Sequence, residues 1–186
     1  SLNSVGSYWM NSCDSLQSPD FNGLGKLDRV GLFWMPWCPR LLNPQFQGLS
    51  SLNSVGSYWM NSCDSLQSPD FNGLGELNRV GSNWISGCPR LLNPLFQGLS
   101  SLNSVGSSWM SSCNSLQSPN FDGLGNLLTV NNHWMSKCIV LQTPMFYTLK
   151  KLKRVGDYWM SKCIILQIPM FYGLEKLDRI GNNWMS

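Results

Sequence analysis

A period of 25 residues, kept without one insertion or deletion, constrains this chain more than any other feature. Leucine stands at Leu2, Leu27, Leu52, Leu77, Leu102, Leu127, Leu152 and Leu177, and tryptophan at Trp9, Trp34, Trp59, Trp84, Trp109, Trp134, Trp159 and Trp184. All seven cysteines, from Cys13 to Cys163, keep the same step. Fixed self-similarity of this kind means stacked units that must bury their apolar side chains against neighbours. A second period of 50 residues lies on top, since residues 1–25 recur unchanged as 51–75 and residues 26–50 resemble 76–100. Tandem duplication of a two-repeat unit explains that pattern, and from Asn126 the sequence drifts and gains lysines.

Each repeat has a readable plan. Trp9, Met10, Cys13 and Leu16 fall at i, i+1, i+4 and i+7, one face of a helix. The residue two before the tryptophan is Ser, Asn or Asp in seven of the eight copies, Leu32 being the exception. Those side chains suit an N-cap, so a short helix is expected over residues 7–12 and its equivalents, loosened where Pro36 intervenes. Leu16, Pro19 and Phe21 point inward with polar residues between them, which reads as a short strand around Phe21. Leu24, Leu27 and Val30 suit an extended return. The expected fold class is α/β: a solenoid of about seven 25-residue coils, each with a short strand and a short helical turn.

Composition agrees. With 186 residues, 42% of them hydrophobic and 12% charged, the chain can bury a substantial core and is no candidate for disorder. No apolar run approaches the ~18 residues of a membrane span. The absence of an initiator Met and of a charged-then-apolar leader reads as a fragment, a single solenoid domain over residues 1–186 uncapped at both ends, with any targeting signal out of view. Uncapped ends give copies a route to self-association.

The landmarks Cys13-xx-Leu16-xx-Pro19-x-Phe21, then Leu24, Leu27, Val30-Gly31, Trp34-Met35 and Cys38, resemble leucine-rich repeats of the BspA-like surface-antigen type. Two departures stand out: proline holds the middle leucine position, which interrupts a regular ladder, and tryptophan widens the convex side. The resemblance implies binding or adhesion to proteins or glycoconjugates at a cell surface or in secreted form, and it carries over no catalytic residue.

The residues themselves leave several chemistries to weigh. A column of thiols at roughly strand spacing could form disulfides, bridge a soft metal or serve as inert core; the odd count and the lack of any CxxC favour inert core. The tryptophans belong to the buried face, whereas Tyr8, Phe33, Trp37, Tyr58 and Tyr158 should face outward, with Trp37 either an exposed anchor or packed on Phe33. One histidine, His133, and scattered acids make no catalytic set, and no metal site or cofactor is expected. Through Gly125 there are five basic and seven acidic residues, and beyond it eight and three. The run LKKLKR at 149–154 could meet an anionic surface, but a solvated turn is its ordinary role and no nucleic acid is expected.

Two functions follow from different features. A non-catalytic binding or adhesion module would use the outward residues of the Phe21-type segment. Those include Asp20, Gln45, Asp70 and Asn120 at a polar end, then Thr143, Met145, Tyr147, Ile168, Met170 and Tyr172 as an apolar patch. A structural or antigenic stalk would instead repeat its outward residues, as residues 1–25 and 51–75 do.

Overall fold

The computed structural model describes residues 2–167, 169 and 171–186. Eight two-residue strands recur at the 25-residue step: β1 (Ser4–Val5), β2 (Arg29–Val30), β3 (Ser54–Val55), β4 (Arg79–Val80), β5 (Ser104–Val105), β6 (Thr129–Val130), β7 (Arg154–Val155) and β8 (Arg179–Ile180). They form one parallel sheet in chain order, each residue opposite its equivalent 25 positions on. In β2 to β7 the β-branched second residue is buried in the core and the first points out, the alternation a pleated strand imposes. The chain is therefore a repeat solenoid whose coils touch only their neighbours through the sheet.

The sheet does not lie where the sequence pattern put it. The strand expected around Phe21 is reduced to single parallel bridges, Gln45 with Asp70, Asp70 with Leu95 and Asn120 with Met145. The proline before each bridge lacks an N–H, so it can only accept: Asp70 N–H donates to the Pro44 carbonyl and Leu95 N–H to that of Pro69. One rung survives there, and the continuous ladder forms in the supposed return segment, at the position occupied by Val30.

No helix forms among the described residues, and the segment expected to be helical reverses hand at alternate residues. In the third coil Tyr58, Met60 and Ser62 have φ of 64°, 51° and 54°. The same positions are left-handed in other coils, at a cost of about 1 kcal/mol or more for each side chain. The reversal turns successive peptide groups toward the coil above and the coil below. Tyr58 N–H donates to Ser82 O at 2.7 Å and Ser62 N–H to Ser86 O at 2.8 Å, while Met60 N–H donates back to Trp34 O at 3.0 Å. A one-turn helix would leave most of its terminal groups unpaired, whereas this ladder satisfies them with the neighbouring coils. The residues expected as N-caps have no helix to cap and accept from the next coil instead: Ser57 Oγ from Ser82 N–H at 3.0 Å and Asp157 Oδ1 from Asn182 N–H at 2.7 Å. Just before this segment the coils approach so closely that a Cβ on Gly56 would sit 2.6 Å from the Gly31 carbonyl oxygen.

Two aromatic columns fill the interior. Tryptophan rings from Trp9 to Trp159 stack 5.0–5.4 Å apart and within 5° of parallel. Phenylalanines from Phe21 to Phe146 stack at 5.6–5.9 Å and meet the tryptophans edge-on, as Phe71 meets Trp84 at 5.1 Å and 68°. The indole N–H of Trp34, Trp59, Trp84, Trp109, Trp134 and Trp159 has no hydrogen-bond partner. A buried indole removes roughly 200 Å² from water, about 5 kcal/mol, against about 1–3 kcal/mol for an unpaired donor, so area wins.

Candidate functional site

The face carrying the sequence-selected residues is the one-rung side of the coil, held between buried Pro69 and Phe71 and their equivalents. At its polar end Asp20 and Gln45 are exposed, and Asp70 and Asn120 half-buried. Much of their hydrogen-bonding capacity is used locally. Asp20 Oδ1 accepts from Asn22 N–H at 2.9 Å and Asp70 Oδ1 from Asn72 N–H at 3.0 Å, the self-closing turn aspartate favours. Asn120 accepts from Asp122 N–H at 3.0 Å and donates through Nδ2 to Asp122 Oδ2 at 2.9 Å. A shallow cavity of 280 Å³ between Asp20, Asn22, Gln45 and Gln47 is what remains open.

Along the same face the character changes. Met145 is 41% exposed, Tyr147 45% and Tyr172 79%, and they border a 360 Å³ concavity with Thr143, Pro144 and Phe146. Phe146 is fully buried, so the concavity has a rigid floor, and Pro144 adds to it. Thr143 Oγ1 is 2.8 Å from Ser118 Oγ, which ties one rim to the preceding coil. The Tyr147 hydroxyl donates toward Asn120 Oδ1 and Asp122 Oδ2, both at a long 3.4 Å. Ile168 and Met170, from the same set, lie outside the described residues. Structure thus brings Thr143, Met145, Tyr147 and Tyr172 together, while Asp20, Gln45, Asp70 and Asn120 occupy earlier coils of the same column.

Sequence reasoning passed over two neighbours of this concavity. Pro144 and Phe146 are buried as their inward pattern requires and also line it, and only the spacing of the outward residues around them signals that. Tyr147 also borders a 760 Å³ groove with Asn126, Thr148, Lys150 and Lys151, where Lys151 Nζ donates to Asn126 Oδ1 at 2.6 Å. Part of the LKKLKR run therefore stands beside the apolar concavity rather than on a detached turn.

The other candidates resolve into structure. All seven cysteines are free. From Cys38 to Cys163 each thiol donates to the carbonyl 28 residues earlier, at 3.0–3.2 Å, and no other hydrogen bond reaches those carbonyls among the described residues. Burial raises their pKa, to about 12 for Cys88 and Cys138 and about 11 for Cys163, and the thiols stay protonated at neutral pH. Trp37 is 44% exposed and 5.9 Å from Phe33, so both of its expected roles have a basis. Tyr8, Phe33 and Tyr58 stack at 4.8 and 4.6 Å, so Phe33 has a ring on each of its faces. His133 lies flat against Tyr158 at 4.7 Å. No helix among the described residues is long and apolar enough to cross a membrane.

No curated protein matches the chain. The solved structure of a leucine-rich repeat protein from Bacteroides ovatus is similar over 96% of this chain and 72% of that one, with 13% identity and a TM-score of 0.26. The family described as BspA type leucine rich repeat region matches in six copies, over residues 1–91 and 30–167. Its repeat runs through most of the sequence, and the chain belongs to that family of leucine-rich repeat proteins.

Proposed function

We propose that the chain is a non-catalytic binding module that presents its one-rung face to a protein or glycoconjugate outside the cell, with the apolar concavity as the anchor. One observation carries this reading: Met145, Tyr147 and Tyr172 expose apolar area around a preformed floor, on a face whose earlier bridge residues are polar except for Leu95. Contiguous exposed apolar surface marks interaction sites, and methionine adapts its shape to varied partners. Within a family of repeat scaffolds the repeated residues build the core, and the outward ones are free to select a partner. The second reading, a stalk whose repeats supply length, draws on the identity of residues 1–25 and 51–75, outward positions included.

The double variant Tyr147→Ala with Tyr172→Ala separates them. Screened on an array of extracellular proteins and glycans, the wild type should give a binder whose affinity falls about tenfold or more in the double variant. Its cooperative melt should be unchanged. Binding that ignores both substitutions refutes the anchor, an array with no binder leaves the stalk reading, and a lost melt places the tyrosines in the core.

A further inference from the structure

The first residue of each strand points outward, and its column reads Ser4, Arg29, Ser54, Arg79, Ser104, Thr129, Arg154 and Arg179. Through the first six coils every arginine is flanked by hydroxyl residues, which keeps guanidinium groups two strands apart. Only at the end of the column do two arginines stand directly opposite, with Arg154 and Arg179 paired in register across β7 and β8. Parallel strands lie about 4.8 Å apart, so this register places like charges against one another, an arrangement that sheets avoid.

Nothing among the described residues neutralises the pair. The ion pair found there is Arg29 with Asp28, at 3.4 Å. Asp178 precedes Arg179 as Asp28 precedes Arg29, yet it forms no such pair, and Arg154 is preceded by Lys153. Asp157 lines the same concavity, pairs with neither arginine, and has Oδ1 held by Asn182 N–H at 2.7 Å. Both arginines are exposed and line a 500 Å³ concavity whose rim includes Thr129, Asn131 and Asn182. A local rule is broken here without a compensating contact, inside a hollow with further polar groups at its edge.

We propose that Arg154 and Arg179 form a binding site for a tetrahedral oxyanion, a sulfate or phosphate group, distinct from the tyrosine-lined face. Each guanidinium presents a planar fork of donors that matches two oxygens of such a group, so one anion can bridge both arginines and remove their repulsion. The group can be the free inorganic ion or an ester carried on a sugar.

Inorganic sulfate, titrated at constant ionic strength with chloride as the balancing ion, is the first probe. The arginine Nε–H signals of Arg154 and Arg179 and the backbone amides of Asn131 and Asn182 should shift to saturation in heteronuclear spectra. Arg154→Gln and Arg179→Gln should each weaken binding by about tenfold or more, and Arg154→Lys, which keeps the charge but not the fork, should weaken it as well. Arg79→Gln, at an isolated arginine, should leave it unchanged. A sulfated disaccharide forms the second arm: tighter binding than sulfate identifies an ester as the ligand, and equal binding the free ion. Shifts that never saturate, or that persist in Arg154→Gln, overturn the site, as does an equal loss in Arg79→Gln. Spectra of each variant away from the pair verify that the coils remain folded.

Discussion

Replacing Cys113 with alanine tests what the cysteine column is for. Its thiol is fully buried and donates to the Ile85 carbonyl at 3.1 Å, and that carbonyl has no other partner among the described residues. Alanine strands the carbonyl, costing about 1 kcal/mol at the weak end of the range because a thiol is a poor donor. It also removes the transfer energy of the sulfur and leaves a small cavity, together about 1–2 kcal/mol in a close-packed interior. The total is about 2–3 kcal/mol. Serine keeps a donor in nearly the same place and should cost about 1–2 kcal/mol, while valine keeps the volume, loses the donor and crowds a site built for an unbranched side chain. The expected order of stability is cysteine, serine, alanine, valine. Guanidinium unfolding followed through the tryptophan column measures it, with the denaturant slope as the check that unfolding stays cooperative across the repeats. If alanine or valine proves as stable as serine, the thiol is no more than a small hydrophobe and the hydrogen bond does not matter.

Two further outcomes follow from the same coils. Cys88 and Cys138 stay protonated in the folded state up to about pH 12, whereas an unfolded thiol ionises near pH 8.5. Their contribution to stability is therefore complete below that pH and declines from there toward pH 12, by about 1 kcal/mol per pH unit for each cysteine. A Cys88→Ser and Cys138→Ser double variant should show a flatter decline in urea midpoint over that window, and an identical decline would refute the assignment. Ser112 has φ of 58° and Gly87, at the same place in the preceding coil, 66°. Ser112→Gly should therefore raise stability by about 0.5–1 kcal/mol in denaturant titration, and a loss of that size would show the left-handed turn to be unstrained.

The sequence made the period and the inside of each coil plain, because apolar columns in register need no knowledge of hydrogen bonding. Leu66, Pro69 and Phe71 are buried as their pattern requires, and the polar residues between them are not. The sign of φ left no such trace. Trp59, Met60, Cys63 and Leu66 have the spacing of a helical face, but the same four side chains also turn inward from a backbone that alternates hand. Periodicity reports which side chains share a side, and a helix is only one way to arrange that. The partners that decide between the two lie 24 to 28 residues away, as with Tyr58 and Ser82 or Cys63 and Met35. Pro36, which seemed a helix breaker, sits comfortably because its position serves the ladder as an acceptor, taking the Ser12 N–H at 3.0 Å. The tyrosine-lined concavity was legible as outward residues, whereas its floor and its lysine neighbour required the coils to be stacked first.

That separation between backbone bonding and outward side chains explains how one scaffold carries such different surfaces. The bridge residue on the candidate face is Gln45, Asp70, Leu95, Asn120 or Met145, and the pairing that spans it uses only N–H and C=O groups. Its side chain can change from amide to carboxylate to thioether without altering a backbone hydrogen bond between coils. In the sixth coil, where the outward residues have diverged most, Leu127, Val130, Trp134, Met135, Cys138, Leu141, Phe146 and Leu149 still fill the core, none more than 2% exposed. The left-handed turn, the thiol bond and the aromatic stack are each repeated, so a substitution in any of them is felt by the coils on both sides. An outward substitution leaves that backbone ladder intact and touches at most a side-chain contact such as Thr143 with Ser118. A partner-selecting patch can therefore arise at one end of the column while the other end keeps a duplicated, largely self-satisfied polar surface, and the outward residues of the strands vary with the same freedom, from serine to threonine to arginine.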